Sequence, residues 1–493
     1  MWQRLVLRRG ASTAAVKRLE SFATLEDRDV AFFERLLGGN RVVTNGEDLE
    51  KYNLDWMGAY RGSSKCALLP ESAEQVSAVV RHCFSRSLAL CTQGGNTGLV
   101  GGSVPLFDEV VLSTSLLNRR FEFDDLTGVL SCHSGWILER LDEKLHRYAY
   151  MMPIDLGAKG SCQIGGNVAT GAGGLRFLRY GSIHAHLLGL TVVMADKDGS
   201  VVKLGGSLRK DNTGLHQHQL FVGSEGQLGI ITDVIMTAVH QPPSVQLALF
   251  ACASFDACRL LLRLARRQLS EILSSFEFMD AASVDCFLEK NPDYRNPMGG
   301  GAGEGAFAYV LLETHGSSME HDNAKLNNLL EVALEGGVVV DGVVAASEQQ
   351  GQSFWRLREG ITPSLQKDGH VYKHDISLTV ADYYECVRVA HGLVGDLAKR
   401  IVCYGHLADG NAHLNLTSEA YSEEIQEKLY PALYEWVSSR GGSISAEHGV
   451  GVAKRPYLHY NKSAAALRCM ARLKKTFDPK LILNPYKTIP DVY

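Results

Sequence analysis

The sequence lacks any cysteine pattern typical of disulfide scaffolds or metal clusters. Its 11 cysteines are an odd number, occur singly from Cys66 to Cys469, and never form a Cys-x-x-Cys pair. This spacing argues against a disulfide-stapled secreted domain and against a cysteine-ligated metal site. It favours a protein that works in a reducing compartment.

The sequence also lacks long apolar runs and a strong excess of one charge. No uninterrupted apolar stretch approaches the ~18 residues of a spanning helix. The formal net charge is only -5, from 50 Lys and Arg against 55 Asp and Glu. We therefore expect no membrane span and no nucleic-acid partner. A chain of 493 residues is long enough for about two or three domains.

Acidic residues are absent from the first stretch of the chain. Five basic residues precede the first acidic residue, Glu20; they are Arg4, Arg8, Arg9, Lys17 and Arg18. This composition is typical of a mitochondrial transit peptide, so the sequence predicts a leader over residues 1–22 and a location in the mitochondrial matrix. The alternative is a frayed basic N-terminus that is not a targeting signal.

The distribution of glycine and proline predicts three further regions. Residues 44–240 alternate short apolar runs with glycine clusters, and Gln241-Pro242-Pro243 then interrupts the pattern. Residues 245–400 alternate strand-like and helical segments, which favours an α/β substrate-binding domain; strands are predicted over residues 247–252 and 308–313, and helices over residues 257–269 and 323–335. Residues 401–493 form a C-terminal region of helices and strands.

One short motif formally matches a dinucleotide fingerprint but has the wrong context. Gly301-Ala302-Gly303-Glu304-Gly305-Ala306 follows a Pro/Gly loop and precedes a strand-like run. A Rossmann fingerprint must instead follow a strand and open a helix. The sequence therefore disfavours a nicotinamide cofactor.

Three glycine-rich segments do lie in a context that suits a ligand. They cover residues 92–103, 165–174 and 223–229, all within the first domain. Glycine lets successive backbone N–H groups turn toward one point, which can hold a pyrophosphate without any lysine. A tight loop with no ligand is the alternative for any one segment taken alone. Three together can wrap a long cofactor.

Two histidines are predicted to meet across a hairpin. Asp409-Gly410 is a strong signal for a two-residue type I′ turn. With that turn, His406 lies directly opposite His413, and their side chains are about 5 Å apart on one face. Period-two alternation places Asn415 on the same face.

Glu447 is the natural third ligand for a metal ion at these histidines. Two imidazoles and one carboxylate form an open site that suits Zn²⁺ and also accepts Mn²⁺ or Co²⁺. His448 follows Glu447 directly and is the candidate general base, because histidine serves most often in that role. Ordinary hydrogen-bonded histidines and a solvated acid are the alternative for these residues taken singly.

A second group of polar residues is predicted to bind a carboxylate. Arg358 and Thr362 are four residues apart on one helical face, and Lys373 follows in a strand-like run. Arg358 can grip a carboxylate in a bidentate manner, while Lys373 adds a point charge. Pro363 suggests that the helix ends at Thr362 and restarts, which would make Thr362 an N-cap. A solvated helix face is the alternative.

Together these motifs resemble the vanillyl-alcohol oxidase family of FAD-linked oxidases, also called the p-cresol methylhydroxylase type. The resemblance covers nearly everything after the leader and is carried by residues 93–103, 153–166, 173–182, 209–214, 404–415, 445–451 and 484–487. It implies an α+β fold with a p-cresol methylhydroxylase-type FAD-binding domain. Four positions depart from the family pattern: Thr92 stands for a usual proline, Gly171 for asparagine and Gln227 for threonine, and Pro363 is the fourth.

The resemblance also implies which residues hold each group. FAD, bound without a covalent link, is expected at Gly94, Gly95, Asn96, Thr97, Gly98, Gly101, Gly102, Ser103, Gly165, Gly166, Asn167, Thr170, Gly173, Gly174, Tyr180, Gly181, Glu225, Gly226, Ile230 and Asn484. A divalent metal, expected to be Zn²⁺, is assigned to His406, His413 and Glu447. The predicted substrate-binding residues are Arg358, Thr362, Lys373, Asn415 and His448, and His448 is the catalytic base.

The expected reaction is oxidation of D-2-hydroxyglutarate to 2-oxoglutarate, with hydride transfer to FAD and electron-transferring flavoprotein as the acceptor. Oxidation of D-lactate or another D-2-hydroxy acid is the alternative, and Arg358 and Lys373 argue against it. A flavin-binding module without catalysis is a further alternative, disfavoured because His406, His413, Glu447 and His448 are present as a set. The sequence leaves the oligomeric state open, a homodimer included.

Overall fold

A computed structural model describes residues 16–298 and 303–490 and divides the chain into two compact units. Unit 1 comprises Met1–Gly173, Ser182–Gln241 and Glu447–Tyr493, and unit 2 comprises Gly174–Gly181 and Pro242–Ala446. Most of the predicted leader, residues 1–15, lies outside the described residues. None of the described helices is long and apolar enough to cross a membrane.

The helices are distributed over both units. Within the described residues they are α1 (Asp27–Leu37), α2 (Gly46–Asn53), α3 (Ala73–Arg86), α4 (Leu138–Leu145), α5 (Ile164–Thr170), α6 (Phe177–Tyr180), α7 (Ile183–His186), α8 (Phe255–Gln268), α9 (Ala281–Lys290), α10 (Met319–Glu335), α11 (Glu348–Asp368), α12 (Glu385–Val394), α13 (Glu423–Ser439) and α14 (Ala464–Phe477).

The strands of unit 1 form three sheets. A four-stranded mixed sheet has the order β1-β2-β4-β3, a five-stranded antiparallel sheet has the order β5-β6-β10-β8-β9, and β7 pairs with β11. Their bounds are β1 (Val42–Val43), β2 (Ala67–Leu68), β3 (Leu90–Gln93), β4 (Val110–Ser113), β5 (Phe121–Asp124), β6 (Val129–His133), β7 (Tyr150–Met151), β8 (Leu187–Val193), β9 (Val201–Gly205), β10 (Ile230–Thr237) and β11 (Val239–His240).

Helix α3 shows why unit 1 folds around its first sheet. Its buried residues recur at helical spacing, so one stripe faces the core; they are Val76, Val79, Val80 and Cys83. Ser72 caps the first turn by accepting a hydrogen bond from the Gln75 N–H, and Ser87 ends the helix in a left-handed conformation. The chain then turns directly into β3, the strand that precedes the first glycine-rich segment.

The last part of the predicted leader packs into unit 1. The Arg18 guanidinium forms an ion pair with Asp108 at 2.5 Å, and the Leu19 N–H donates to the Tyr486 hydroxyl at 3.0 Å. Phe22 is buried in the core and meets the Tyr486 ring edge-on. Residues 16–22 therefore contribute to the fold of this unit.

Unit 2 is built on one seven-stranded antiparallel sheet with the order β15-β12-β14-β13-β17-β18-β16. The bounds are β12 (Ser244–Cys252), β13 (Leu273–Asp280), β14 (Ala308–Gly316), β15 (Asp341–Val344), β16 (His370–Ser377), β17 (Arg400–His406) and β18 (Asn411–Ser418). Helices α9 and α11 cover one face, while α8, α10, α12 and α13 pack on the other. The strands and helices predicted between residues 247 and 335 are confirmed.

Helix α11 continues through Pro363, so the prediction that Thr362 is an N-cap was wrong. Proline removes one backbone hydrogen bond and clashes with the carbonyl four residues earlier, at a cost of ~3 kcal/mol. Four apolar residues of α11 are buried against the sheet and outweigh that cost; they are Phe354, Leu357, Ile361 and Leu365. The Thr362 hydroxyl is consequently free of a capping role.

The C-terminal region predicted over residues 401–493 is not a unit of its own. Strands β17 and β18 complete the sheet of unit 2, whereas the described residues from Glu447 onward return to unit 1. The sequence gives no local signal that the chain passes from unit 2 to unit 1 after Ala446, because helices occur on both sides of that point. The break after Gln241 lies where the proline pair interrupts the pattern.

Candidate functional site

The first glycine-rich segment of unit 1 closes on itself directly after β3. The Gln93 side-chain amide donates to the carbonyls of Tyr52 and Ser103 at 3.0 and 2.9 Å. The Ser103 hydroxyl donates to Asn96 Oδ1 at 2.7 Å. Asn96 has a φ of 53°, a left-handed conformation that asparagine tolerates better than most side chains. Residues 93–103 are thus held as a loop of defined shape.

Main-chain hydrogen bonds join the second and third glycine-rich segments. The Glu225 N–H donates to the Ala169 carbonyl at 2.7 Å, and the Gly223 N–H donates to the Val168 carbonyl at 3.2 Å. Helix α5 forms most of the second segment and ends at Gly171, whose φ is 63°. Glycine and asparagine are the two residues that suit such a position, which accounts for the departure at Gly171.

Asn484 links the first segment to the third. Its Oδ1 accepts from the Thr92 N–H at 3.2 Å, and its amide donates to the Glu225 carbonyl at 2.8 Å. The Gln227 side chain donates to the Asn484 carbonyl at 2.6 Å and to the Lys487 carbonyl at 3.2 Å. Two departures from the family pattern therefore have structural roles, because Thr92 supplies an N–H that proline lacks and Gln227 fixes the C-terminal segment.

Close packing of the chain requires glycine at two positions of these segments, and two buried polar atoms there lack a partner. A Cβ on Gly95 would lie 2.0 Å from the Ser161 carbonyl oxygen, and one on Gly165 would lie 2.5 Å from Ser134 Cβ, so no side chain is accommodated at either position. Within residues 16–298 and 303–490, Thr92 Oγ1 and Asn167 Oδ1 are buried without a hydrogen-bond partner. Buried polar atoms of this kind are normally satisfied, which indicates a polar group supplied from outside the chain.

Some predicted cofactor-binding residues have other contacts or lie apart. The Glu225 carboxylate accepts from the Val450 and Gly451 N–H groups at 2.7 and 2.8 Å and from the Thr488 hydroxyl at 2.8 Å. It therefore holds the loop that follows His448, and burial raises the pKa of this carboxyl. Gly174, Tyr180 and Gly181 belong to unit 2, and the other predicted cofactor residues belong to unit 1.

In unit 2, a row of polar side chains crosses one face of the sheet where α11 packs. The register of four neighbouring strands creates this row, because directly paired residues point to the same face. The pairs are Glu277 with His406, Tyr404 with His413, His413 with Asp375, and Asn415 with Lys373. Unit 2 thus contains six of the predicted metal-binding and substrate-binding residues: Arg358, Thr362, Lys373, His406, His413 and Asn415.

The register of the β17–β18 hairpin differs from the predicted one. His406 pairs with Asn411, not with His413, because residues 407–410 form a four-residue loop. Only Gly410 takes a left-handed conformation, with a φ of 81°, whereas a type I′ turn also requires one at Asp409. The shift is two residues and preserves the face, so the His406 and His413 rings still meet with centroids 5.4 Å apart.

Glu277 is a buried carboxylate at the centre of this row. Its Oε1 lies 2.7 Å from His406 Nδ1, and its Oε2 accepts from Arg358 Nε at 3.0 Å and from Nη2 at 2.8 Å. Burial alone would raise the pKa of Glu277, but the adjacent His406 and Arg358 outweigh it and hold the pKa below its usual value. Two predicted site residues are therefore anchored by one carboxylate.

Tyr404 packs against Arg358 and His413 in the polar row. The Arg358 guanidinium lies over the Tyr404 ring, with its carbon 4.9 Å from the ring centroid. The Thr362 and Tyr404 hydroxyls are hydrogen-bonded at 2.7 Å, and the rings of Tyr404 and His413 are 5.5 Å apart. Thr362 therefore contacts the site through Tyr404.

Asp375 organises the other side of His413. Its Oδ1 lies 3.9 Å from His413 Nδ1 and accepts from the Asn411 side-chain amide at 2.8 Å, while its Oδ2 accepts from the Ala446 N–H at 3.1 Å. Glu447 follows Ala446 directly in the chain, so their Cα atoms are separated by one peptide unit, about 3.8 Å. In unit 1, Glu447 Oε1 lies 3.8 Å from His448 Nε2.

Lys373 contributes a perturbed cation to the row. It stands opposite Asn415, and burial lowers the pKa of its ammonium group to about 8. Desolvation disfavours the charged form of a lysine, so an anion beside it is stabilised more than it would be in water. The position suits recognition of a carboxylate.

Three residues of the row were not predicted from the sequence: Glu277, Tyr404 and Asp375. Period-two alternation could have identified Tyr404 from His406 and Asp375 from Lys373, because each pair is two residues apart on one strand. A charged residue between two phenylalanines, Phe276 and Phe278, was the only signal for Glu277.

Two family models match the chain. One, described as an FAD binding domain, matches residues 64–205, and the other, the C-terminal domain of FAD linked oxidases, matches residues 241–488. The predicted dependence on FAD is thereby confirmed. The first match covers the first and second glycine-rich segments, and the second covers the polar row of unit 2.

Similar proteins include two curated relatives and one solved structure. The chain is 48% identical to the mitochondrial D-2-hydroxyglutarate dehydrogenase of Arabidopsis thaliana, over 98% of this chain and 85% of that protein. It is 42% identical to a putative mitochondrial D-lactate dehydrogenase of Schizosaccharomyces pombe, over 97% and 93%. The crystal structure of p-cresol methylhydroxylase with substrate bound has a TM-score of 0.74 at 14% identity, over 94% and 97%. That likeness confirms the predicted fold class.

Proposed function

The chain belongs to the family of FAD-linked oxidases and is an FAD-dependent dehydrogenase; from that premise we propose that it oxidises D-2-hydroxyglutarate to 2-oxoglutarate with the help of a divalent metal. The observation that carries this proposal is the polar row of unit 2. It combines two adjacent imidazoles with two cations, Arg358 and Lys373, within the same set of strands and the helix above them.

FAD is proposed to bind along the three glycine-rich segments of unit 1, near Asn484. The protein would bind FAD through main-chain N–H groups and through two buried side-chain oxygens, Thr92 Oγ1 and Asn167 Oδ1. When bound, FAD supplies an acceptor for the hydride that leaves C2 of the substrate. The residues of unit 1 fix the position of the segments through backbone bonds, such as that from Glu225 to Ala169.

The proposed metal ligands are His406, His413 and Glu447, and Zn²⁺ is the ion that this donor set favours. His406 Nδ1 is hydrogen-bonded to Glu277, and a carboxylate on one ring nitrogen is a usual partner of a histidine that binds a metal through the other. When bound, the ion lowers the pKa of the substrate hydroxyl by drawing electron density from its oxygen.

The chain's own residues then bind the substrate and move one proton. Arg358 and Lys373 hold the distal carboxylate, and Thr362 and Asn415 complete the polar wall. His448 accepts the hydroxyl proton on an imidazole nitrogen, and histidine is the side chain that most often serves as a general base. The packing of α11 over the sheet keeps water from the buried side of Arg358, which strengthens its charged hydrogen bonds.

Oxidation of D-lactate is the second candidate, and the name of the Schizosaccharomyces pombe relative favours it. D-lactate shares the hydroxyl and the adjacent carboxylate but has no distal carboxylate. Arg358 and Lys373 together provide two cations for a distal carboxylate, which D-2-hydroxyglutarate has and D-lactate lacks.

The electrons are proposed to leave FAD for electron-transferring flavoprotein in the mitochondrial matrix. The word "mitochondrial" in the names of both relatives supports the location, together with the basic leader. A homodimer is the proposed assembly, and light scattering of the purified protein would show it as a mass near twice 53.9 kDa.

The proposed reaction is tested with a panel of D- and L-2-hydroxy acids and an artificial electron acceptor. D-2-hydroxyglutarate should give the highest kcat/KM, D-lactate a lower one, and the L-enantiomers none. The product should be identified as 2-oxoglutarate by mass spectrometry. A highest kcat/KM for D-lactate would reject the preferred substrate, and dye reduction by none of the acids would reject the reaction.

A further inference from the structure

Glu277 is a carboxylate in a fully buried position, where a charged group usually lowers the stability of the fold. It lies in β13, whose eight residues are all buried, and only 1% of its side chain is exposed. An isolated ion in such a place is strongly destabilising, and even a paired one seldom adds net stability compared with apolar side chains. The burial of Glu277 therefore calls for a reason other than stability.

The two oxygens of Glu277 serve two different residues. Oε1 contacts the imidazole of His406 on the neighbouring strand, and Oε2 contacts the guanidinium of Arg358 on α11. His406 and Arg358 are 48 positions apart in the sequence and lie on different elements. Glu277 is thus hydrogen-bonded to both a proposed metal ligand and a proposed substrate-binding cation.

Each contact fixes a chemical property of its partner. With Nδ1–H donated to the carboxylate, the His406 lone pair is on Nε2, and the ring can turn only by breaking a 2.7 Å hydrogen bond. Arg358 presents Nε and Nη2 to Glu277, so its outward-facing donors are those of Nη1 and the second N–H of Nη2. Stacking on Tyr404 keeps the guanidinium plane in place.

We propose that Glu277 is a positioning residue that orients the metal site and the distal-carboxylate site together. It sets the tautomer of His406 for metal binding and the direction of the Arg358 donors for the substrate. This inference rests on the proposed function, and it adds a residue that contacts neither metal nor substrate. A substrate lacking the distal carboxylate uses only the His406 part of this arrangement.

The test compares Glu277→Gln with a matched control on the same strand. Glutamine keeps the shape of the side chain but removes the charge and leaves one acceptor oxygen. Asp280→Asn is the control, because Asp280 is an equally buried carboxylate whose partners are Ser283, Cys403 and Tyr384, outside the polar row. Both variants are purified with FAD bound.

The first readout is the Kd for Zn²⁺, measured by competition with a chromophoric chelator. Loss of a residue that orients a metal ligand typically costs about ten- to hundredfold in metal affinity. We expect that loss in Glu277→Gln and an unchanged Kd in Asp280→Asn. An unchanged Kd in Glu277→Gln, or an equal loss in both variants, would overturn the proposal.

The second readout separates the two roles at saturating Zn²⁺. Excess metal should restore much of kcat in Glu277→Gln, whereas the KM for D-2-hydroxyglutarate should stay several-fold raised and the KM for D-lactate should not. Equal changes in KM for both acids would overturn the role at Arg358. If Glu277→Gln does not fold, Glu277→Asp replaces it; the shorter side chain should weaken Zn²⁺ binding, and wild-type affinity in that variant would overturn the proposal.

Wild-type protein separates this inference from the proposed function. If the wild type binds no Zn²⁺ and oxidises no 2-hydroxy acid, the proposed function itself fails. If the wild type does both and Glu277→Gln matches it in every readout, only the role of Glu277 fails.

Discussion

The proposed cofactor site of unit 1 consists mainly of backbone, whereas the polar row of unit 2, which carries most of the proposed metal-binding and substrate-binding residues, consists of side chains. The glycine-rich segments are joined by main-chain bonds such as that from Gly223 to Val168. The polar row instead draws on β13, β16, β17, β18 and α11, and its charged contacts run between side chains such as Glu277 and Arg358.

This difference decides how each site responds to substitution. A backbone site depends on close approach, so an added methyl group at one glycine disturbs it while most side-chain changes do not. A side-chain site depends on charge and hydrogen bonding, so isosteric changes suffice to disable it. Changes in the glycine-rich segments should therefore spare the polar row, and changes in the polar row should spare the segments.

The strongest test of this separation is His406→Ala. Removing a metal ligand eliminates an interaction worth several kcal/mol in the transition state, so activity should fall at least about a thousandfold. The FAD content, read from absorbance near 450 nm, should stay at the wild-type value. His370→Ala is the control, because the His370 ring also packs beside an aromatic ring, that of Tyr372. His370 is the first residue of β16 and lies outside the polar row. Loss of FAD from His406→Ala would contradict the separation.

The converse substitution is Gly95→Ala in unit 1. The new Cβ would lie 2.0 Å from the Ser161 carbonyl oxygen, and overpacking of this kind costs up to about 3 kcal/mol. FAD affinity should fall about a hundredfold, while the Kd for Zn²⁺ stays unchanged. Gly46→Ala, where the added methyl meets nothing within 4 Å, is the matched control. Wild-type FAD content in Gly95→Ala would show that the first segment does not bind the cofactor.

Within unit 2, Lys373→Met sharpens the assignment of substrate. Methionine keeps much of the apolar stem and removes the charge, and a charged hydrogen bond is worth ~1.5 to 3 kcal/mol. The kcat/KM for D-2-hydroxyglutarate should fall roughly ten- to hundredfold, and that for D-lactate should change far less. Equal losses of kcat/KM for both acids would show that Lys373 supports the fold or flavin binding. The main argument for D-2-hydroxyglutarate as the preferred substrate would then be lost.

The smallest expected effect is a pH dependence specific to the distal carboxylate. Burial lowers the pKa of Lys373 to about 8, so the side chain is charged below that pH and neutral above it. The kcat/KM for D-2-hydroxyglutarate should therefore fall up to about tenfold between pH 7 and 9, in proportion to the charged fraction. The D-lactate profile should lack this alkaline limb, and so should Lys373→Arg. An identical limb for both acids would assign it to another group.

The glycine-rich segments can be recognised in the sequence because their chemistry is local and carried by residue type, and their role in binding FAD stays a prediction. The sequence predicted the face shared by His406 and His413 but missed their register, because loop length depends on contacts from elsewhere. Arg266 donates to the Ala408 carbonyl at 2.6 Å and the Leu378 N–H donates to the Gly410 carbonyl at 2.9 Å, and these bonds hold the four-residue loop. Such contacts are invisible in the local pattern.

Other features could not be predicted because burial overrides local preference. Pro363 favours a helix break, yet the apolar stripe of α11 keeps the helix whole. Glu277 and His406 are 129 residues apart, and only the sheet order that places β13 beside β17 brings them together. Contacts between distant residues of this kind require the fold itself.

The central claim is that the glycine-rich segments hold the flavin, whereas other residues, most of them in the polar row of unit 2, form a metal-dependent substrate site. The most direct measurement follows D-2-hydroxyglutarate-dependent dye reduction and FAD absorbance together before chelation, after thorough chelation, and after addition of Zn²⁺. The account predicts that chelation removes activity, leaves FAD bound, and is reversed by Zn²⁺. Full activity in the chelated protein would remove the metal from the mechanism and contradict the account.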